Sequence, residues 1–168
     1  MRLLDRLIMK LLRGPVDALV AEKIAEKVAE LKLDALYQHR WHGRPERLKI
    51  HETAVVNNAL FNVSGGTITV GKDAFFGHDV AVLTGTHDID KFGRERQLAI
   101  PRSGRDIVIG EGAWVASNAM VLGPCVIGAN AVVGGGSLVM GDVAPYTIVA
   151  GAPARVLRTI PHDDDPGR

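Results

Sequence analysis

In the segment VLTGTHDIDKFGRERQ, residues 82–97, one histidine, His87, stands between Thr86 and Asp88. A neutral imidazole titrates near working pH and removes the proton of a hydroxyl as the oxygen attacks an acyl carbon, contributing typically about 10²–10⁴-fold. Such a base needs one ring nitrogen free and the other held. Asp88 and Asp90 are candidates for holding it, as is a backbone carbonyl, and Asp90 serves equally well as a turn cap.

The elements that must carry His87 are written in a strict period of six. Ile109, Val115, Val121, Ile127, Val133 and Val139 fall six apart, and Ala113, Ala119, Cys125, Ala131, Ser137 and Val143 follow each by four. Neither a helix of period 3.6 nor an alternating strand places residues this way. A six-residue period is the signature of a parallel β-helix, in which each hexad is a short strand and a corner and stacked coils bury one continuous core. The same count runs through Val70, Phe76 and Val82, is looser at Ile50 and Val56, and slips by two residues around NVSGGTIT, which reads as a small corner loop. The next aliphatic residue is due at position 88 but arrives at 109, so about twenty residues leave the coil, at residues 86–106. Thr86 then takes a small-residue slot and His87 the edge of the coil. Long structureless loops in compact domains are usually functional. Phe92, Arg94, Glu95 and Arg96 suit such a loop to covering a cleft.

A groove along identical coils suits a long, thin amide chain, provided its lining is small. Ala116, Ser117, Gly134, Gly135 and Ser137 supply that lining, although corners of hexads demand such residues anyway. Cys125 falls in an inward slot and reads as buried filler, not as a nucleophile.

At 168 residues the chain holds one domain and an appendage, and its net charge of +1 gives no reason to expect nucleic acid or a polyanion as a general partner. One cysteine excludes an internal disulfide and fits a reducing compartment. No run approaches the roughly 20 apolar residues of a membrane span, and the start of the chain lacks the marks of a secretory signal. The expected location is cytoplasmic. Leu3, Leu4, Leu7, Ile8, Leu11 and Leu12 oppose Arg2, Arg6 and Lys10 as an amphipathic helix. Gly14-Pro15 is expected to break it before a second helix through Leu19, Val20, Ile24, Val28 and Leu31, with Lys23–Glu26 and Lys27–Glu30 pairs. These helices read as a cap on the β-helix or between subunits, or as a peripheral contact at the inner face of a membrane.

The hexads, the His loop and the run VAPYTIVAGAPARVLRTI together resemble the hexapeptide-repeat acyltransferases, most of all the maltose/galactoside-type and cell-envelope sugar O-acetyltransferases. The resemblance covers about residues 50–160. It implies an all-β, left-handed parallel β-helix with an N-terminal α-helical segment and a short C-terminal helix. The expected divisions are residues 1–46 helical, 47–160 β-helix and 161–168 a flexible tail. It further implies acetyl-CoA as co-substrate without a metal, a homotrimer with active sites between subunits, and a sugar hydroxyl as acceptor. His87 matches the family's general base, Arg155 the position that meets a CoA phosphate, and Pro153 a neighbour of the adenine, with Arg158 as helper. Trp114 matches a Trp that supports the loop and groove, and packing or substrate contact is expected of it. His78 and Asp79 stand where relatives carry N-x-N, and either could face the acceptor, as could Asp88. A backbone amide near Ala116 or Ser117 is expected to meet the oxyanion. An amino-sugar N-acetyltransferase is the alternative. A zinc-dependent, carbonic-anhydrase-like β-helix is a second alternative, weakened because no third His lies in the hexad region after residue 51 beside His78 and His87.

Overall fold

The computed structural model describes the backbone of residues 3–34 and 36–162, and the side chains of residues 14–29 and 36–162. The chain divides into two units, Met1–Leu36 and Tyr37–Arg168. The second is a prism of three parallel sheets wound by one chain. The first face stacks Arg40–His42, Leu60–Asn62, Ala81–Leu83, Met120–Leu122 and Leu138–Val139. The second stacks Leu48–Ile50, Ile68–Val70, Ile107–Ile109 and Cys125–Ile127. The third stacks Phe75–Phe76, Trp114–Val115, Val132–Val133 and Thr147–Ala150.

The hexad residues meet the expectation. Ile109, Ala113, Val115, Ala119, Val121, Cys125, Ile127, Ala131, Val133, Ser137, Val139 and Val143 are all buried; Ile109 stacks on Ile127, Val115 on Val133 and Val121 on Val139, one coil away, while Val143 pairs with Ile127. At the edge joining the third face to the first, the backbone turns through positive φ at Asp79 (57°), Asn118 (60°) and Gly136 (66°) in three successive coils. Asp, Asn and Gly are the residues that tolerate this conformation.

Several expectations are corrected. The slip of two residues is the sum of two opposite changes. Val56 to Phe61 takes five residues where the matching Phe76 to Val82 takes six, and Phe61 to Val70 takes nine where a hexad takes six. The extra residues sit at the edge joining the first face to the second, where the long loop also leaves. The β-helix begins before residue 47, since Arg40–His42 pairs in parallel with Leu60–Asn62. The expected short C-terminal helix is a strand: Arg155–Thr159 pairs antiparallel with Thr147–Ala150 and gives the last coil's backbone groups their partners. Pro15 does not end the N-terminal helix, which runs as α1 through Leu3–Asp34. A proline inside a helix removes one hydrogen bond without forbidding continuation. Val16, Leu19, Val20, Ile24 and Val28 of α1 are exposed, and Lys23 pairs with Glu26 at 2.7 Å. The side chains of residues 2–12, Glu30 and Leu31, with residues 163–168 of the expected tail, lie outside the described residues. At residue 162 the chain is still packed, with the His162 ring 3.9 Å from that of Tyr146. No helix among the described residues is long and apolar enough to cross a membrane.

The inward slot expected of Thr86 is filled instead by Ile107, the partner of Cys125 in the next coil, and the loop is clasped at its base by Thr84. The Thr84 side chain is fully buried, donating its hydroxyl to the Asn62 carbonyl at 2.7 Å and accepting the Gly65 N–H at 3.1 Å. Arg105 Nε, at the other end of the loop, donates to the Thr84 carbonyl at 2.9 Å. Thr84→Val keeps the shape and leaves buried polar groups unpaired, so a loss of about 1–3 kcal/mol is expected in urea denaturation. An unchanged midpoint would remove Thr84 from the clasp.

Candidate functional site

His87 lies at the edge joining the first face to the second, three residues beyond Thr84. Its ring is exposed, and Nδ1 stands 3.0 Å from the carbonyl oxygen of Arg96. A carbonyl only accepts, so Nδ1 carries the proton and donates, and Nε2 keeps its lone pair. The carbonyl is the third of the three candidates for orienting the ring. Asp88 does something else: its Oδ1 accepts the Asp90 N–H at 3.1 Å, and its own N–H donates to the Ala99 carbonyl at 2.9 Å. Both bonds shape the loop.

The loop is not structureless. It contains a short helix, α2, at Gly93–Leu98, held from inside by Arg96. The Arg96 guanidinium donates to the carbonyls of Lys91 and of Ile89, the latter at 3.1 Å, and lies 5.0 Å from the Phe92 ring centroid. Lys91 pairs with Glu95 at 2.6 Å. One residue therefore fixes the loop with its side chain and the His87 ring with its backbone. Nothing in the sequence pointed to that carbonyl, because backbone groups carry no residue signature.

The residues expected at the donor groove lie on a different edge, between the third face and the first. Gly77, Ala116 and Gly134 occupy equivalent places in three stacked coils, with His78, Ser117 and Gly135 beside them. A side chain at Gly77 would meet the backbone of Ser117, so the coils touch closely there. The Ala116 N–H donates to the Val133 carbonyl at 2.9 Å and is unavailable for an oxyanion. The N–H groups of Ser117 and Gly135 donate to no described acceptor. Those two amides are one coil apart, about 4.8 Å. Ser137 is buried, and its hydroxyl accepts the Gly151 N–H at 3.1 Å, so it does not line the groove.

The same edge continues into the closing segment, where the Leu138 N–H donates to the Gly151 carbonyl and the Ala154 N–H to the Leu138 carbonyl. Pro153 and Arg155 line a hollow of about 350 Å³ with Met140 and Asp142. The guanidinium groups of Arg155 and Arg158 are exposed and bond only to the carbonyls of Ala154 and Thr159. Trp114, two residues before Ala116, is half exposed and stacks on Phe75 at 5.6 Å and 15°. Asp79 and Asn58 hold each other: the Asp79 N–H donates to Asn58 Oδ1 and Asn58 Nδ2 to Asp79 Oδ1, both at 2.8 Å. Asp79 is thus a rung between coils. The His78 N–H is taken by Ser117 Oγ at 3.1 Å, and its ring meets the edge of Tyr37. Its Nδ1 is buried without a partner. Cys125 is buried as expected, and burial with the nearby Asp142 carboxylate raises its thiol to about 11. Among the described residues no three His, Cys, Asp or Glu side chains gather.

With this geometry the chain is a left-handed β-helix of hexapeptide repeats, and residues 106–141 match the family described as bacterial transferase hexapeptide (six repeats). It resembles the acetyltransferases of that family. Over 117 residues it is 32% identical to serine acetyltransferase 2 of Arabidopsis thaliana, covering 70% of this chain and 34% of that one. Over 116 residues it is 28% identical to an Escherichia coli K12 protein named as a lipopolysaccharide biosynthesis O-acetyl transferase, covering 64% and 58%. The chain thus spans about a third to just over half the length of these relatives. Among solved structures, a hexapeptide-repeat-containing acetyltransferase of Vibrio cholerae complexed with acetyl-CoA superposes with a TM-score of 0.55, 25% identity and coverage of 84% and 89%.

Two outcomes test the site's construction. Arg96→Ala should release the loop, so tryptic cleavage between residues 86 and 106 should quicken several-fold while the β-helix melts at its usual temperature. Equal cleavage would show that Arg96 is not the clasp. Cys125, with its raised pKa, should ignore a thiol reagent at pH 8 in the folded protein and react at once in denaturant; prompt reaction in the folded state would contradict its burial.

Proposed function

We propose that the chain is an acetyl-CoA-dependent O-acetyltransferase acting on a sugar hydroxyl. The observation that carries the reading is the His87–Arg96 bond, which leaves Nε2 as a proton acceptor at an exposed edge. His87 Nε2 takes the acceptor hydroxyl's proton as its oxygen bonds to the thioester carbonyl carbon. The tetrahedral intermediate collapses with cleavage of the carbon–sulfur bond, and the departing CoA thiolate takes the proton back from His87. No acyl-enzyme is needed.

The Ser117 amide is the donor for the developing oxyanion, and the pantetheine arm runs past Ala116, Ser117, Gly134 and Gly135 toward Pro153, Arg155 and Arg158. Small side chains and unengaged amides support this path. Three-residue strands of the first face separate this edge from His87 by about 10 Å, far beyond hydrogen-bond reach. His87 of one subunit therefore works with the groove of a neighbour, in a homotrimer. Trp114 and His78 border the groove as substrate contacts.

His87→Ala should lower acetyl transfer by about 10²–10⁴-fold with donor affinity kept. Transfer within about tenfold of the parent rate would sink the base assignment. Arg155→Ala should weaken acetyl-CoA binding in calorimetry while turnover of bound donor persists; unchanged affinity would remove Arg155 from the site.

A further inference from the structure

A second hollow, of about 250 Å³, opens at the His87 edge, lined by His42, Arg44, Arg47, Val63, Ser64 and Arg102. Its cations come from distant parts of the chain. Arg44 and Arg47 flank and end the short 3₁₀ turn Pro45–Arg47, and Arg102 descends from the long loop. Arg47 is already placed, its Nη1 donating to the Arg102 carbonyl at 2.9 Å and lying 3.5 Å from the Ser64 carbonyl. Among the described residues none of the three guanidinium groups pairs with a carboxylate. Three like charges around one hollow repel each other and call for an anion. Through Ser64 the hollow adjoins the backbone that leads to the base. Ser64 Oγ donates to Asn62 Oδ1 at 2.6 Å, and Gly85, two residues before His87, packs so closely on Asn62 and Ser64 that a side chain there would collide with both.

We propose that this hollow binds a phosphate or diphosphate carried by the acceptor, so that the sugar hydroxyl reaching His87 belongs to a phosphorylated sugar. The inference rests on the acetyl-transfer reading above. Guanidinium forks match phosphate oxygens in pairs, and three of them suit a dianion better than a single carboxylate. The volume lies below the roughly 300–1,000 Å³ of a complete ligand pocket, so it takes one end of the acceptor and leaves the rest to extend along the edge. The net charge of +1 conceals this cluster because acidic residues elsewhere balance it.

The test titrates the full chain calorimetrically with inorganic pyrophosphate and, separately, with acetyl-CoA, in the parent and in an R44Q/R102Q double variant. Both arginines are exposed, so the variant should fold, which its melting curve checks. Pyrophosphate should bind the parent and bind the variant about tenfold or more weakly, while acetyl-CoA binds both alike. Pyrophosphate that fails to bind the parent, or binds both proteins equally, overturns the proposal. So does a matching loss of acetyl-CoA affinity in the variant, which would assign the hollow to the donor. Failure of the acetyl-transfer reading shows separately, as a parent that binds pyrophosphate but not acetyl-CoA.

Discussion

Everything in the prism depends on vertical register. Val115 and Val133 are direct partners and stand eighteen residues apart, as do Val121 and Val139. Each coil hydrogen-bonds to the ones above and below it, so the regular coil holds eighteen places and no more, and the last, from Val133 to its partner Val149, is shorter. Residues beyond that number must leave the stack, and they can leave only at a corner, where no strand is interrupted. All three departures in this chain, the small excess after His42, the matching one after Asn62 and the long loop after Thr84, use the same edge. Stacked one above the other, they form a built-up ridge on an otherwise regular body.

That ridge divides the labour of the molecule. The edge between third and first faces is smooth, lined with Gly, Ala and Ser and two unengaged amides. The edge between first and second faces is elaborated, and carries His87, the α2 loop and the arginine hollow. The smooth edge suits a long ligand whose recognition repeats from coil to coil; the elaborated one suits a ligand recognised at particular points.

The hexads made the β-helix legible because burial in a stacked coil is periodic and periodicity survives in sequence. The proposed site was legible only where a single side chain would carry the chemistry, as proposed for His87. Its tautomer was not, because it depends on the Arg96 carbonyl. Thr86 was expected in the inward slot that Ile107 fills, since counting by six cannot tell at which residue the chain steps out of the count. The closing strand was misread as a helix because RVLRT owes its form to the open edge it covers, not to its own propensity. Arg44, Arg47 and Arg102 look like scattered surface charges until the fold gathers them.

The clasp at Thr84 and Arg105 has a consequence for how such a molecule can change. The coil closes with its own hydrogen bonds, and what lies between the two clasp residues adds nothing to the buried core. Beyond Gly85, which packs on Asn62 and Ser64, residues 86–104 are therefore an interchangeable part. A segment of different length and composition can be spliced between the same two anchors without repacking any coil, and inheritance can revise what the protein recognises while leaving what holds it together untouched.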